Sequence, residues 1–303
     1  MRGSAIRSLT AARHVSIIAA ALFERTVQIW NWGSGERVCE FDTVTDGHCH
    51  LSLSPAGDYL VAANWRAGKR GGVACYSTST GEMQWHRHDI RRARRVCYSS
   101  DGTSIWCGVE GSPLQELDAR TGGTQISLRA VQEVFDSPYS DHRLAISRKH
   151  IFIKGKKDIA IPSLSFAVLD AAFSPSALCL TEARGIVRCV DIDLGHELWR
   201  YEPPKSSHVI FVSYNHSDRS FYGTQWNFES GGPNSLIRIS EVTGALTEVC
   251  QLNAYPDSCC FGDGVVVTSS GEVVSLENGQ TLRRMAFPEC DYPDDPSVSQ
   301  AAE

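Results

Sequence analysis

Three groups of residues in this chain have types and spacings that could do chemistry. They are the histidine pairs His48/His50 and His86/His88, the adjacent thiols Cys259 and Cys260, and a run of arginines from Arg87 to Arg95. Alternate residues of a strand point to one face, so each H-x-H pair offers two nitrogen ligands on one side, half of a tetrahedral zinc set. Vicinal cysteines could serve redox chemistry if one were held as a thiolate. The run Arg87-His-Asp-Ile-Arg-Arg-Ala-Arg-Arg95 puts five arginines into nine residues, and guanidinium groups bind carboxylates or phosphates through a two-pronged fork. A nucleophile elbow of the form G-x-S-x-G is missing from the sequence, so acyl transfer has no support.

Composition narrows these options. The 303 residues carry a net charge of −6, which weighs against general nucleic-acid binding, because that affinity comes mostly from cations neutralising phosphates. The 11 cysteines include no C-x-x-C and lie in apolar runs such as Val73-Ala-Cys-Tyr76 and Val187-Arg-Cys-Val190. They read as reduced core residues in a cytoplasmic setting, Cys259 and Cys260 among them. Arg2, Arg7 and Arg13 precede the apolar run Val15 to Phe23 in the manner of a secretory signal. That run is short, and the strand Thr26-Val-Gln-Ile-Trp30 follows it at hairpin distance, so it reads as a strand. No stretch approaches the roughly 20 apolar residues of a membrane span.

The elements that must position these groups are repeats. A glycine-centred turn between strand-like runs recurs at Trp32-Gly-Ser-Gly-Glu36, Ser77-Thr-Ser-Thr-Gly-Glu82, Asp118-Ala-Arg-Thr-Gly122, Asp191-Ile-Asp-Leu-Gly195, Glu241-Val-Thr-Gly244 and Leu276-Glu-Asn-Gly279. A second turn signal alternates with it, as at Ser54-Pro-Ala-Gly-Asp58, Ser99-Ser-Asp-Gly102, Ser174-Pro-Ser176 and Phe261-Gly-Asp-Gly264. The period of roughly 40 residues is that of a four-stranded propeller blade. Helical periodicity is absent. The expected fold is therefore all-β: a single seven-bladed β-propeller of four-stranded antiparallel blades over 1–288, with an acidic, disordered tail over 289–303. The blades fall at about 4–42, 48–87, 95–129, 132–166, 168–202, 208–252 and 257–288. One glycine turn is missing between Gly122 and Gly195, and Ile161-Pro-Ser-Leu164 is assigned its place.

Two family resemblances follow from these landmarks. Gly47-His48 ahead of Leu51-Ser-Leu-Ser-Pro55, and Val27-Gln-Ile-Trp-Asn31, resemble WD repeats, with Trp-Asn standing where that family carries Trp-Asp. Thr80-Gly-Glu-Met-Gln-Trp85 and Leu194-Gly-His-Glu-Leu-Trp199 are similar to the blade ends of quinoprotein-type propellers. The resemblance implies a platform for protein partners; a quinone-dependent enzyme would need a cofactor site that these motifs do not supply.

Within this parse His50 starts the innermost strand of blade 2 and His86 ends the outermost, three spacings of about 4.8 Å apart. The two pairs cannot share one ion, so neither a metal nor a cofactor is assigned. The arginine run becomes the connection from blade 2 to blade 3. The loop Asn64-Trp-Arg-Ala-Gly-Lys-Arg-Gly-Gly72 opens on the same face, as does the blade 6 loop beginning Trp226-Asn-Phe228. The expected partner-binding set is Trp65, Arg66, Lys69, Arg70, Arg87, Arg91, Arg92, Arg94 and Arg95, with Trp226 and Phe228, since arginine and tryptophan are enriched in binding hot spots. The expected function is a non-enzymatic protein-interaction module that holds an acidic or phosphorylated protein partner. Its alternatives are an inhibitor or immunity-type protein that neutralises a toxin or enzyme, an RNA-binding propeller using Trp65 to stack, and, least supported, a quinone-dependent enzyme.

Overall fold

Apolar residues stand in unbroken runs where a strand is covered on both faces and alternate where one face meets water. Tyr59–Asn64 and Gly72–Ser77 are buried almost throughout, whereas Glu36–Asp42 and Thr281–Arg284 are largely exposed. The middle strands of each sheet are thus sandwiched between neighbouring sheets and the last strand forms the rim. The computed structural model describes residues 2–4, 6–22, 25–44, 49–64, 71–109, 112–128, 131–137, 139, 142–147, 151–154, 159–161, 167–227, 234–253 and 259–291. No helix among them is long and apolar enough to cross a membrane.

The strands form consecutive four-stranded antiparallel meanders. Their innermost strands are Ile6–Ala11, Cys49–Leu53, Ala93–Tyr98, Val131–Asp136, Val168–Phe173, Ser207–Asn215 and Cys259–Gly262. Each neighbours the next, and the last neighbours the first, so the ring closes around a channel. We number the blades 1 to 7 in that order. The apolar run near the N-terminus is the second strand of blade 1, Ile17–Leu22. A further two-stranded sheet, Arg2–Ser4 against Glu289–Asp291, clasps the two ends together. The first three residues of the expected tail are therefore paired.

The expectation of a seven-bladed propeller with four-stranded blades throughout needs correction. Among the described residues six blades are complete, each with four strands of at least four residues. In the other, blade 4, the outermost strand is only Ile159–Ala160, held through Phe152–Ala160 and Ile153–Ile159. That antiparallel pairing joins strands on either side of 155–158, so the reversal comes before Ile159 and not at Ile161-Pro-Ser-Leu164. Of that assigned turn, Pro162 to Leu164 lie outside the described residues. Among the described residues, Trp106 and Leu114 of blade 3 pack with Ala145 of blade 4.

The glycine turns that revealed the repeat do a second job between blades. Gly122 and Gly244 have φ of 71° and 68°, the left-handed region that glycine enters without penalty. A Cβ on either would stand 2.7 Å from the ring of Trp85 or Trp199 of the preceding blade. The same indoles donate to backbone carbonyls of the adjoining turns, Trp85 Nε1 to Ala119 O at 3.0 Å and Trp199 Nε1 to Glu241 O at 2.7 Å. The tryptophan that suggested a quinoprotein is thus an inter-blade latch. Gly244→Ala should cost on the order of 2 kcal/mol, from left-handed strain and displacement of Trp199. Denaturant unfolding checks this, and a loss below about 0.5 kcal/mol would contradict the latch.

Candidate functional site: the channel and the arginine face

Each innermost strand enters the ring from one face and leaves at the other. The inter-blade connections and the second-to-third strand loops lie on the entry face. The other turns form the exit face. In blades 1, 3, 4 and 5 the ladder slips by one residue near the entry end, at Ile6/Ser8, Ala93/Arg95, Val131/Glu133 and Val168/Asp170. Such bulges re-aim a side chain, and here they bring Arg95 and Asp170 to the channel wall. The channel is a cavity of about 580 Å³ lined by Arg7, Arg13, His50, Arg95, Phe135 and Asp170, among others.

Arg95 is consequently turned inward. Its guanidinium lies 4.1 Å from the ring centre of Phe135 on blade 4, and Nη2 reaches Oδ1 of Asp170 on blade 5 at 3.2 Å. The other carboxylate oxygen accepts the Val212 N–H of blade 6 at 3.0 Å. One ion pair therefore ties blade 3 to blades 5 and 6 across the thin blade 4. Burial raises the Asp170 carboxyl above its ordinary value, against the pull of Arg95 and of the Val212 and Ala171 N–H groups. His50 meets channel water but has protein around it; that burial first, and the charge of Arg95 second, lower its pKa to about 4. It is a neutral imidazole at neutral pH.

Arg87 is also committed to the protein's own structure. It grips Asp89 with two 2.7 Å hydrogen bonds and donates to the Gly122 carbonyl of blade 3 at 2.6 Å. The pair shift each other: the Asp89 carboxyl lies below its usual value and the Arg87 guanidinium above. Ile90 beside this clamp and Ala93 at the start of the next strand are buried at 2% and 1% exposure. Arg91 and Arg92 stand exposed between these anchors. Arg92 has φ of 57°, a left-handed conformation that side chains other than glycine adopt at a cost.

The other expected site residues divide as follows. Arg94 lies on the innermost strand of blade 3. Trp226 is 36% exposed near the entry face of blade 6, on the far side of the ring from the arginine loop, so the two do not form one patch. Trp65, Arg66, Lys69, Arg70 and Phe228 lie outside the described residues, as does His48. Exposed cations elsewhere on the entry face went unnoticed in the sequence. Arg184, in the second-to-third strand turn of blade 5, has φ of 76°, and Lys205 lies in the connection to blade 6. Single cations in short turns give no pattern until the ring gathers them on one face.

His86 and His88 have ring centres 6.0 Å apart, and His86 Nε2 lies 3.1 Å from the Gly71 carbonyl. Among the described residues no three His, Cys, Asp or Glu side chains are grouped to hold a metal. Cys259 and Cys260 are both free and buried, each in a different inter-blade cluster, and burial raises the Cys260 thiol far from a reactive thiolate.

No family model matches this sequence, and no curated protein does. Solved structures do match its shape. The Cps50 (Swd1) β-propeller domain of Myceliophteria thermophila aligns with a TM-score of 0.71 at 12% identity, over 92% of this chain and 95% of that one. The RRP9 WD40 repeats align with a TM-score of 0.69 at 10% identity, over 87% and 86%. A chain of the mitotic checkpoint complex aligns with a TM-score of 0.68 at 14% identity, over 92% and 90%. The fold is that of a WD-repeat-like β-propeller. These neighbours give no specific support to the quinoprotein side of the resemblance, in keeping with Trp85 and Trp199 acting as latches. At such identities the WD-repeat-like likeness is one of fold alone.

Proposed function

We propose that this WD-repeat-like propeller is a non-enzymatic protein-binding module whose entry face receives an acidic or phosphorylated segment of a partner protein. The observation that carries the proposal is the construction of the 87–93 connection. A solvated loop needs neither an internal Arg87–Asp89 clamp nor two buried anchors, and left-handed backbone at an arginine is retained only where the surroundings impose it. Holding Arg91 and Arg92 in one geometry before binding lowers the ordering entropy that a flexible loop would lose on association. Arg184 and Lys205 add charge to the same face and steer an anionic partner toward it. The mitotic checkpoint match is to a chain in a multiprotein complex, which fits a propeller that works by holding a partner.

Charge reversal tests this placement. With immobilised protein in native lysate, Arg91→Glu with Arg92→Glu should reduce specific capture at least tenfold, and capture by the unaltered chain should weaken as salt rises. Both side chains are exposed, so unfolding midpoints should match. Equal capture by the two proteins would contradict the placement.

A further inference from the structure

The channel also opens on the exit face, and that mouth is built differently. We infer that it is a second binding site, one that takes the free C-terminal carboxylate of a peptide. The mouth is a cavity of about 440 Å³ lined by the exit ends of the innermost strands of blades 5, 6 and 7 and by turn residues of blades 1, 4, 6 and 7, within the range of small-ligand sites. Arg13 lines both this cavity and the channel above it. Its Nη1 is enclosed by protein and finds no hydrogen-bond acceptor among the described residues. A buried guanidinium N–H without an acceptor is costly, and a carboxylate arriving in the cavity supplies that acceptor through a forked contact.

The remaining wall fits the chain that would carry such a carboxylate. Tyr139 stacks on His216 with ring centres 5.9 Å apart and meets Tyr214 edge-on at 5.7 Å. Tyr139 and His216 are exposed toward the mouth. They offer a flat aromatic surface for a planar peptide group or a terminal side chain. Tyr214 is already committed, donating its hydroxyl to the buried Glu241 carboxylate at 3.2 Å. The turn that holds Arg13 is fixed to blade 2 through His14 N–H to Pro55 O at 3.3 Å.

The charge of the face selects a monoanion. Asp263 lines the same cavity, and Asp58 and Asp101 stand exposed on other exit-face turns. They would repel a dianionic phosphate more strongly than a single carboxylate, and they suit a peptide with a basic residue near its end.

The test uses the full chain, immobilised, and two pools of random octapeptides, one with free C-terminal carboxylates and one amidated. The free-acid pool should be retained at least tenfold more strongly. Arg13→Gln should abolish that excess. Tyr139→Ala, a change at an exposed side chain, should weaken retention about fivefold with an unaltered melting temperature. Inorganic phosphate should compete no better than chloride at equal ionic strength. The Arg91→Glu/Arg92→Glu protein should retain the free-acid pool as the unaltered chain does, which separates this site from the entry face. Equal retention or no retention of the two pools would overturn the inference. So would displacement by phosphate, or retention unaffected by both Arg13→Gln and Tyr139→Ala.

Discussion

Replacing Arg188 by methionine is expected to lower the unfolding free energy by about 3 to 5 kcal/mol, the usual cost of stranding a buried charge. Arg188 lies inside blade 5 with 5% of its side chain exposed, and its Nε sits 3.0 Å from Glu182 and 3.1 Å from Glu197. The Glu182 side chain is fully enclosed. Neither of its oxygens accepts an aligned hydrogen bond, so the Arg188 charge is what compensates it. Without that charge the carboxylate must take up a proton or pull the strands apart. The companion Glu182→Leu, Arg188→Met should recover most of the loss, because an apolar pair of similar volume removes both charges together. Denaturant unfolding of the two proteins gives both numbers. A loss below about 1 kcal/mol for Arg188→Met would mean that solvent reaches Glu182.

The second large effect is expected at the channel strut. Arg95→Ala removes the charged contact to Asp170 and the stacking on Phe135, and leaves Asp170 with only backbone partners. A loss of roughly 2 to 3 kcal/mol follows from charged hydrogen bonding of this kind. The damage should be local, since the Arg95–Asp170 pair spans blade 4, whose rim strand is Ile159–Ala160. Protease cleavage should therefore rise first within 131–166. Arg143, 4.9 Å above the ring of Trp106, is the other cation seated between blades 3 and 4. Alanine at both Arg91 and Arg92 should change stability by less than about 0.5 kcal/mol. One arginine run thus splits into residues that hold the ring together and residues that face a partner, and a stability effect at Arg91 and Arg92 equal to that at Arg95 would refute the division.

That division marks where sequence reasoning reached its limit. The blade repeat was legible because turn chemistry is local: a left-handed glycine every 40 or so residues, with β-branched runs on either side, needs no tertiary information. The blade limits fall within a few residues of those turns for the same reason. Blade 4 was misread because no Thr-Gly pattern marks its last turn in the sequence and Ile161-Pro-Ser-Leu164 looked like the best stop. The fates of Arg87 and Arg95 were hidden for another reason. Asp89 is two residues from Arg87 and could have been suspected, whereas Asp170 lies 75 positions from Arg95 and meets it only because two bulges face each other across a channel. Arg13 carried no binding signal, since one arginine in a turn is ordinary until the ring encloses its Nη1 with no acceptor among the described residues.

The claim that the anchored arginine loop is where a protein partner sits is tested most directly by hydrogen exchange on the propeller, with and without a captured partner. Protection on binding should appear in the 88–93 segment and in the entry-face turns around Arg184 and Lys205, with the rim strands unchanged. Protection confined to the rim strands or to the exit face, with 88–93 exchanging as in the free protein, would contradict it.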